Sequence, residues 1–227
     1  MFWQESKTVG NFAVSDDVTD IAYQISCRTL PVDHAWELSQ AVMKVLPWIG
    51  EETGAGVHTI HVADSGNGWM RPENAGDLLY LSRRTKLVLR VPRQRIENAK
   101  NLVGHTLDVA GNPLTVGAAT LKPFTAITTL FARYVVSDAG QDENAFLGEV
   151  VRELNAMGIQ PKKMLCGIEH SLAAPGKPVR TRSLMIAELG QPESVTLQQR
   201  GIGPMRQAGC GLFLPHKDIR ELKQALE

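Results

Sequence analysis

The chain has 227 residues, with 24 lysines and arginines against 24 aspartates and glutamates, and so no formal net charge. That length suits one compact body of two small lobes, and the even balance excludes a protein that coats nucleic acid indiscriminately, so any grip on phosphate has to come from local clusters of cations. Three widely spaced cysteines, Cys27, Cys166 and Cys210, make neither a disulfide framework nor a zinc site, which points to a reducing compartment and metal-free chemistry with no cofactor; with no signal-peptide pattern and no bilayer-length apolar run, the expected location is the cytoplasm.

Residues 1–17 read as irregular. Over 20–30 the sequence alternates, Ile21, Tyr23, Ile25 and Cys27 falling on one face, which predicts a half-buried strand. Pro31 ends it, Asp33 is a natural N-cap, and Leu38, Ala41, Val42, Val45 and Leu46 then recur at helical spacing up to Pro47. A second strand is predicted at 57–63 and a turn at 65–68. Residues 78–92 interleave Arg83, Arg84, Lys86 and Arg90 with leucine and valine, giving a strand or hairpin with cations on its open side. A helix at 93–103 and a hairpin across 105–118, turning at Gly111-Asn112-Pro113, complete the order strand, helix, strand, strand, helix, strand.

Residues 121–129 read as a linker, after which the same order returns. A strand at 131–137 leads to a helix at 143–157 with Phe146, Leu147, Val150, Val151 and Leu154 on its buried stripe and Gly158 beyond its end. Strands at 162–168 and 180–188 follow, then a short helix at 193–200, a glycine-rich loop, a last strand at 210–214 and a small helix at 218–226. The fold class expected is α+β, two tandem ferredoxin-like (RRM-like) βαββαβ domains, at 1–120 and 130–227.

The loop from Gly201 to Gly211 carries four glycines and Arg206, and Gly201 falls at the left-handed residue just past the end of the short helix. It runs from a helix into a strand, opposite to the strand-to-helix order of dinucleotide folds and P-loops, so those phosphate sites are excluded. Taken alone, such a loop is a tight turn as readily as a phosphate cradle.

The run Leu197-Gln198-Gln199-Arg200-Gly201-Ile202-Gly203-Pro204, with Gly209-Cys210-Gly211-Leu212-Phe213-Leu214-Pro215-His216-Lys217, resembles the C-terminal signature of the CRISPR repeat-processing endoribonucleases, the Cas-six family, and within it the Myxan subtype. Leu30-Pro31-Val32-Asp33-His34-Ala35 resembles the same subtype near its start, and Gly54-Ala55-Gly56-Val57-His58-Thr59-Ile60 does so more loosely. The resemblance implies paired ferredoxin-like domains of the repeat-associated (RAMP) superfamily, recognition of a repeat stem-loop, cleavage of the precursor by its own 2′-hydroxyl to a 2′,3′-cyclic phosphate, and delivery of the guide RNA to an effector complex. The alternative within the superfamily is an inactive subunit that only holds guide RNA.

Metal-free RNA cleavage needs a base for the 2′-hydroxyl and cations for the charge that builds on the phosphorus oxygens. His34 lies at the start of the first helix, where the family places a catalytic histidine; on residues alone it is equally an exposed helix-start residue, and Asp33 beside it opposes the neutral imidazole that the helix dipole favours. His58 is the second candidate, as acid or phosphate ligand, against a plain core or edge histidine. His105 and His170 read as surface residues. For RNA contact the candidates are Arg83, Arg84, Arg90, Arg180, Arg182 and Arg206, the loop glycines Gly201, Gly203, Gly209 and Gly211, and His216 with Lys217, each also readable as a solvated charge or a turn. Tyr80 and Trp69 are the possible stacking platforms. A two-histidine phosphoesterase is the unrelated rival; the paired His-x-Thr or His-x-Ser blocks it needs are absent from the sequence.

Overall fold

A computed structural model describes residues 14–62 and 76–216; the expected turn at 65–68, Trp69, Lys217 and the terminal helix lie outside them. In chain order the elements are β1 (Val18–Ser26), β2 (Thr29–Pro31), α1 (Ala35–Val45), β3 (Gly56–Val57), β4 (Leu78–Tyr80), β5 (Lys86–Pro92), α2 (Ile96–Lys100), β6 (Thr106–Val109), β7 (Asn112–Lys122), β8 (Leu130–Val136), α3 (Glu143–Ala156), β9 (Lys163–Leu172), β10 (Val179–Ala187), α4 (Gln191–Arg200) and β11 (Leu214–Pro215).

The first sheet has the order β3-β5-β1-β7-β6 and the second β11-β8-β10-β9, with all neighbours antiparallel. Set aside β6, which only extends the β7 edge, and each half places its second, third, first and fourth βαββαβ strands side by side. Both halves are therefore ferredoxin-like, and the chain is the tandem α+β fold the sequence predicts.

Alternation does the sorting. Ile21 and Tyr23 point from β1 into a core closed by Leu38, Ala41 and Val42 of α1 and by Ala99 of α2, and the Tyr23 hydroxyl donates to the Ala99 carbonyl at 2.8 Å. In the second half, Phe146, Val150 and Leu154 of α3 meet Leu130, Ala132 and Val135 of β8 and Leu184 and Ile186 of β10. Asp142 caps α3 by accepting from the Ala145 amide at 2.8 Å. Asp33 does not cap α1 as expected: His34 is the N-cap residue, and the Asp33 carboxylate accepts from Ala173 N–H at 2.7 Å, across to the β9–β10 turn.

Three expected elements change form. The strand at 57–63 reduces to Gly56–Val57. The basic stretch at 78–92, expected as a strand or hairpin, is neither one strand nor a hairpin, because β4 pairs with β2 while β5 runs between β1 and β3. The last strand is displaced to Leu214–Pro215: Gly209 and Gly211 have φ of +86° and +66°, so the buried run from Cys210 to Phe213 cannot extend as a ladder.

Candidate active site

The halves meet along a seam where the start of α1 enters the second half. Ala35 packs there with Leu172 and Cys210, flanked by Tyr134, Val136, Val179 and Met205. His34 sits beside this cluster, only 2% exposed. Its Nδ1 lies 2.8 Å from the Pro31 carbonyl oxygen and its Nε2 accepts from the Ile60 amide at 3.0 Å. Since a carbonyl only accepts and an amide only donates, the ring is neutral, with its proton on Nδ1 and its lone pair on Nε2. Of the two influences weighed at the helix start, the neutral form prevails, because Asp33 turns away to Ala173.

The glycine-rich loop forms one wall of the seam. Gly201 ends α4 with its N–H on the Leu197 carbonyl at 2.9 Å and φ +62°, positive as expected, although ψ −168° puts it in the extended glycine region and not the left-handed helical one. Ile202 N–H donates to the Gly211 carbonyl at 3.2 Å, and Gly211 N–H to the Tyr134 carbonyl at 2.7 Å. The two strands of the loop lie so close that a Cβ on Gly211 would collide with the Ile202 carbonyl. Gly201, Gly209 and Gly211 are buried, leaving Gly203 and Pro204 toward solvent. Arg206 folds back: its guanidinium donates to the carbonyls of Arg200, of Gln199 at 2.9 Å and of Gly54 at 3.3 Å. Burial lowers its pKa to about 10, so it is still charged at neutral pH. The Gly203 amide donates to Glu153 at 2.9 Å, beside a cleft of about 510 Å³ between the halves lined by Gly54, Glu153, Gln199 and Arg206.

Below the loop, one row crosses the first sheet's outer face. Lys122, Asp20, Arg90 and Gly56 are in register on β7, β1, β5 and β3. Arg90, expected to contact RNA, is 0% exposed and turned into the interior. It donates to both Asp20 oxygens, at 2.9 and 3.2 Å, to the Gln198 carbonyl at 2.5 Å and to the Phe213 carbonyl at 3.0 Å. Burial works against the Asp20 charge, yet Arg90 and His58 hold its pKa well below the usual carboxylate range. His58 is buried too, its Nε2 3.5 Å from Asp20. Burial lowers its pKa and outweighs the pull of that carboxylate, so it is a neutral core histidine. A Cβ on Gly56 would stand 2.8 Å from Leu212 Cδ2 and 3.1 Å from the Arg206 carbonyl oxygen, so glycine here lets the loop lie close over this row.

The family model for Cas6 Crispr proteins matches residues 19–218, from β1 past the glycine-rich loop. The chain belongs to the Cas6 family. It is 32% identical over 196 residues to the CRISPR-associated endonuclease Cas6 of Myxococcus xanthus (strain DK1622), covering 86% of this chain and 80% of that protein. In fold it is similar to a solved CRISPR associated protein Cas6, with a TM-score of 0.60 and 12% identity over 88% of this chain and 100% of that one. It is also similar to a RAMP protein described as binding different RNA substrates, with a TM-score of 0.57 and 12% identity over 88% and 100% of the two chains.

On this Cas6 fold the remaining candidates scatter. Arg83 and Arg84 are exposed between β4 and β5. Arg180 is exposed and paired with Glu169 at 2.9 Å, and Arg182 is half-buried with a donor on the Gln141 carbonyl at 3.1 Å. His216 is exposed, its ring 5.9 Å from that of Phe131. Tyr80 is 61% exposed. Sequence reasoning read His170 as a surface residue, which it is, but did not bring it to the seam with Tyr134. His170 is exposed on β9, opposite Thr181, two residues from Leu172 at the seam, and its ring meets the Tyr134 ring edge-on at 6.1 Å. The signal available was alternation on β9, which puts His170 and Leu172 on one face. Cys210 is no nucleophile, since burial pushes its thiol up to about 12. Among the described residues, no three His, Cys, Asp or Glu side chains are grouped so as to hold a metal ion, and no helix is long and apolar enough to cross a membrane.

Proposed function

We propose that the chain is a metal-independent endoribonuclease that binds the stem-loop of a CRISPR repeat transcript and cuts it by attack of a 2′-hydroxyl, leaving a 2′,3′-cyclic phosphate and a mature guide RNA. One observation carries the chemistry: His34 stands at the seam as a neutral imidazole whose tautomer is fixed from behind by Pro31, so that Nε2 is the proton-accepting atom. That is the form a general base needs. To reach the ribose hydroxyl, Nε2 gives up the Ile60 amide for it, and leaving that buried N–H without its partner costs about 1–3 kcal/mol. The likeness to a named CRISPR-associated endonuclease Cas6 supports this substrate class.

The 1–120 and 130–227 halves act as the two domains, joined by 121–129. Arg83, Arg84, Arg180 and the rim of the loop at Gly203 supply phosphate contacts, the Gly203 amide trading Glu153 for phosphate. After cleavage the enzyme hands its product to the subunits of an effector complex.

A second reading of the base rests on exposure: His170 is accessible at the same seam with Tyr134 against it. The test of the function is incubation of the purified protein with repeat RNA in excess EDTA. Cut RNA is expected; a shifted but intact band contradicts cleavage and favours the guide-holding subunit.

A further inference from the structure

The Asp20–Arg90 pair takes no part in the proposed chemistry, yet it touches both stems of the glycine-rich loop. Gln198 lies three residues before Gly201 and Phe213 two after Gly211, and one guanidinium holds the carbonyls of both while Asp20 takes its other edge. The Phe124 ring lies 4.7 Å from the same guanidinium. Above it, the loop presses on the wall beside His34. A Cβ on Gly209 would stand 3.2 Å from the Val57 carbonyl oxygen and 3.3 Å from Thr59 N, and one residue on, Ile60 N–H is the partner of His34 Nε2.

We propose that Arg90, oriented by Asp20, is a positioning residue: it sets where the glycine-rich loop sits, and through Val57–Ile60 the geometry around His34. Three features of the pair support this. Only a planar fork with five donors satisfies two carboxylate oxygens and two carbonyls together. The Gln198 carbonyl belongs to the last turn of α4, where the helix dipole favours a cation. A buried ion pair adds little stability over well-packed apolar side chains, so stability alone gives little reason for it to be here.

This inference rests on the endoribonuclease reading, and the test separates the two. The variants are the double substitution Asp20→Leu with Arg90→Met, which removes both charges, and Arg90→Lys, which keeps a cation beside Asp20 but cannot span both carbonyls. Each is assayed well below its own melting temperature, for affinity to a repeat RNA with a 2′-deoxy scissile nucleotide and for single-turnover cleavage at saturating protein. For the double variant, affinity is expected to stay within about threefold of wild type while cleavage falls about 30-fold or more, and Arg90→Lys to recover only part of that. Cleavage at the wild-type rate in either folded variant overturns the proposal and reduces the pair to a structural tie. If the double variant does not fold, Arg90→Lys carries the test alone. Intact RNA with the wild-type protein brings down the endoribonuclease reading and this inference with it; cutting by wild type and Arg90→Lys alike sinks this inference only.

Discussion

At the scale of single residues, His34 and His170 compete for one role, and paired substitutions separate them. His34→Ala is expected to lower single-turnover cleavage by about 10²-fold or more with affinity for uncleavable repeat RNA nearly intact, and His170→Ala by less than tenfold; the reverse ranking moves the base to β9. His58 makes a different prediction, about stability. Its folded pKa lies below that of an exposed histidine, so it is neutral in the fold and the unfolded chain takes up the proton first. Stability is then fully present above about pH 6.5 and falls as the pH drops below it. Asp20, whose folded pKa is depressed, adds a further loss below about pH 4, where the unfolded carboxyl protonates. Urea unfolding of His58→Leu between pH 7 and pH 5 should show a shallower decline than wild type; an equal slope contradicts the assignment. The position of His34 was legible in the sequence, because a helix start follows Pro31. Its burial was not, since Ile60, whose amide closes on Nε2, lies 26 residues away along the chain.

At the scale of elements, the helix–loop–strand order around the four glycines was readable, and so was a positive φ at the end of α4. What the loop faces was not readable. Glycine permits close approach to a ligand and to the chain's own backbone alike, and here Gly201, Gly209 and Gly211 turn to the backbone. Gly211→Ala is therefore expected to destabilise the fold by about 2 kcal/mol or more, from a positive φ together with a collision with the Ile202 carbonyl. Thermal or urea unfolding reads this directly, and a loss below about 0.5 kcal/mol would mean that the loop opens at no cost. Arg90 teaches the same lesson from a strand. Alternation on β5 gave its face correctly, but not that α4 and the loop cover that face, because a half-buried strand and an RNA-facing strand share one pattern of residues.

At the scale of the whole molecule, the βαββαβ order repeated in the sequence was enough to give the class of the two large sheets, though not the separate β2–β4 pair, since each half can bury its helices in only a few ways once Ile21, Tyr23 and Val135 point inward. The contact between halves carries the chemistry in this account, and it is built from pairs far apart in the chain, such as Asp33 with Ala173 and Arg90 with Phe213. A single strand or helix gives no hint of such pairs. The central claim is that a ribose hydroxyl of repeat RNA, brought to this seam, is the attacking group. The most direct measurement compares repeat RNA with the same RNA carrying one 2′-deoxy substitution at the scissile nucleotide, both with wild-type protein in EDTA. The account predicts that the first is cut to a 2′,3′-cyclic phosphate end while the second is bound with equal affinity and left intact; cleavage of the 2′-deoxy RNA at the same bond would contradict it.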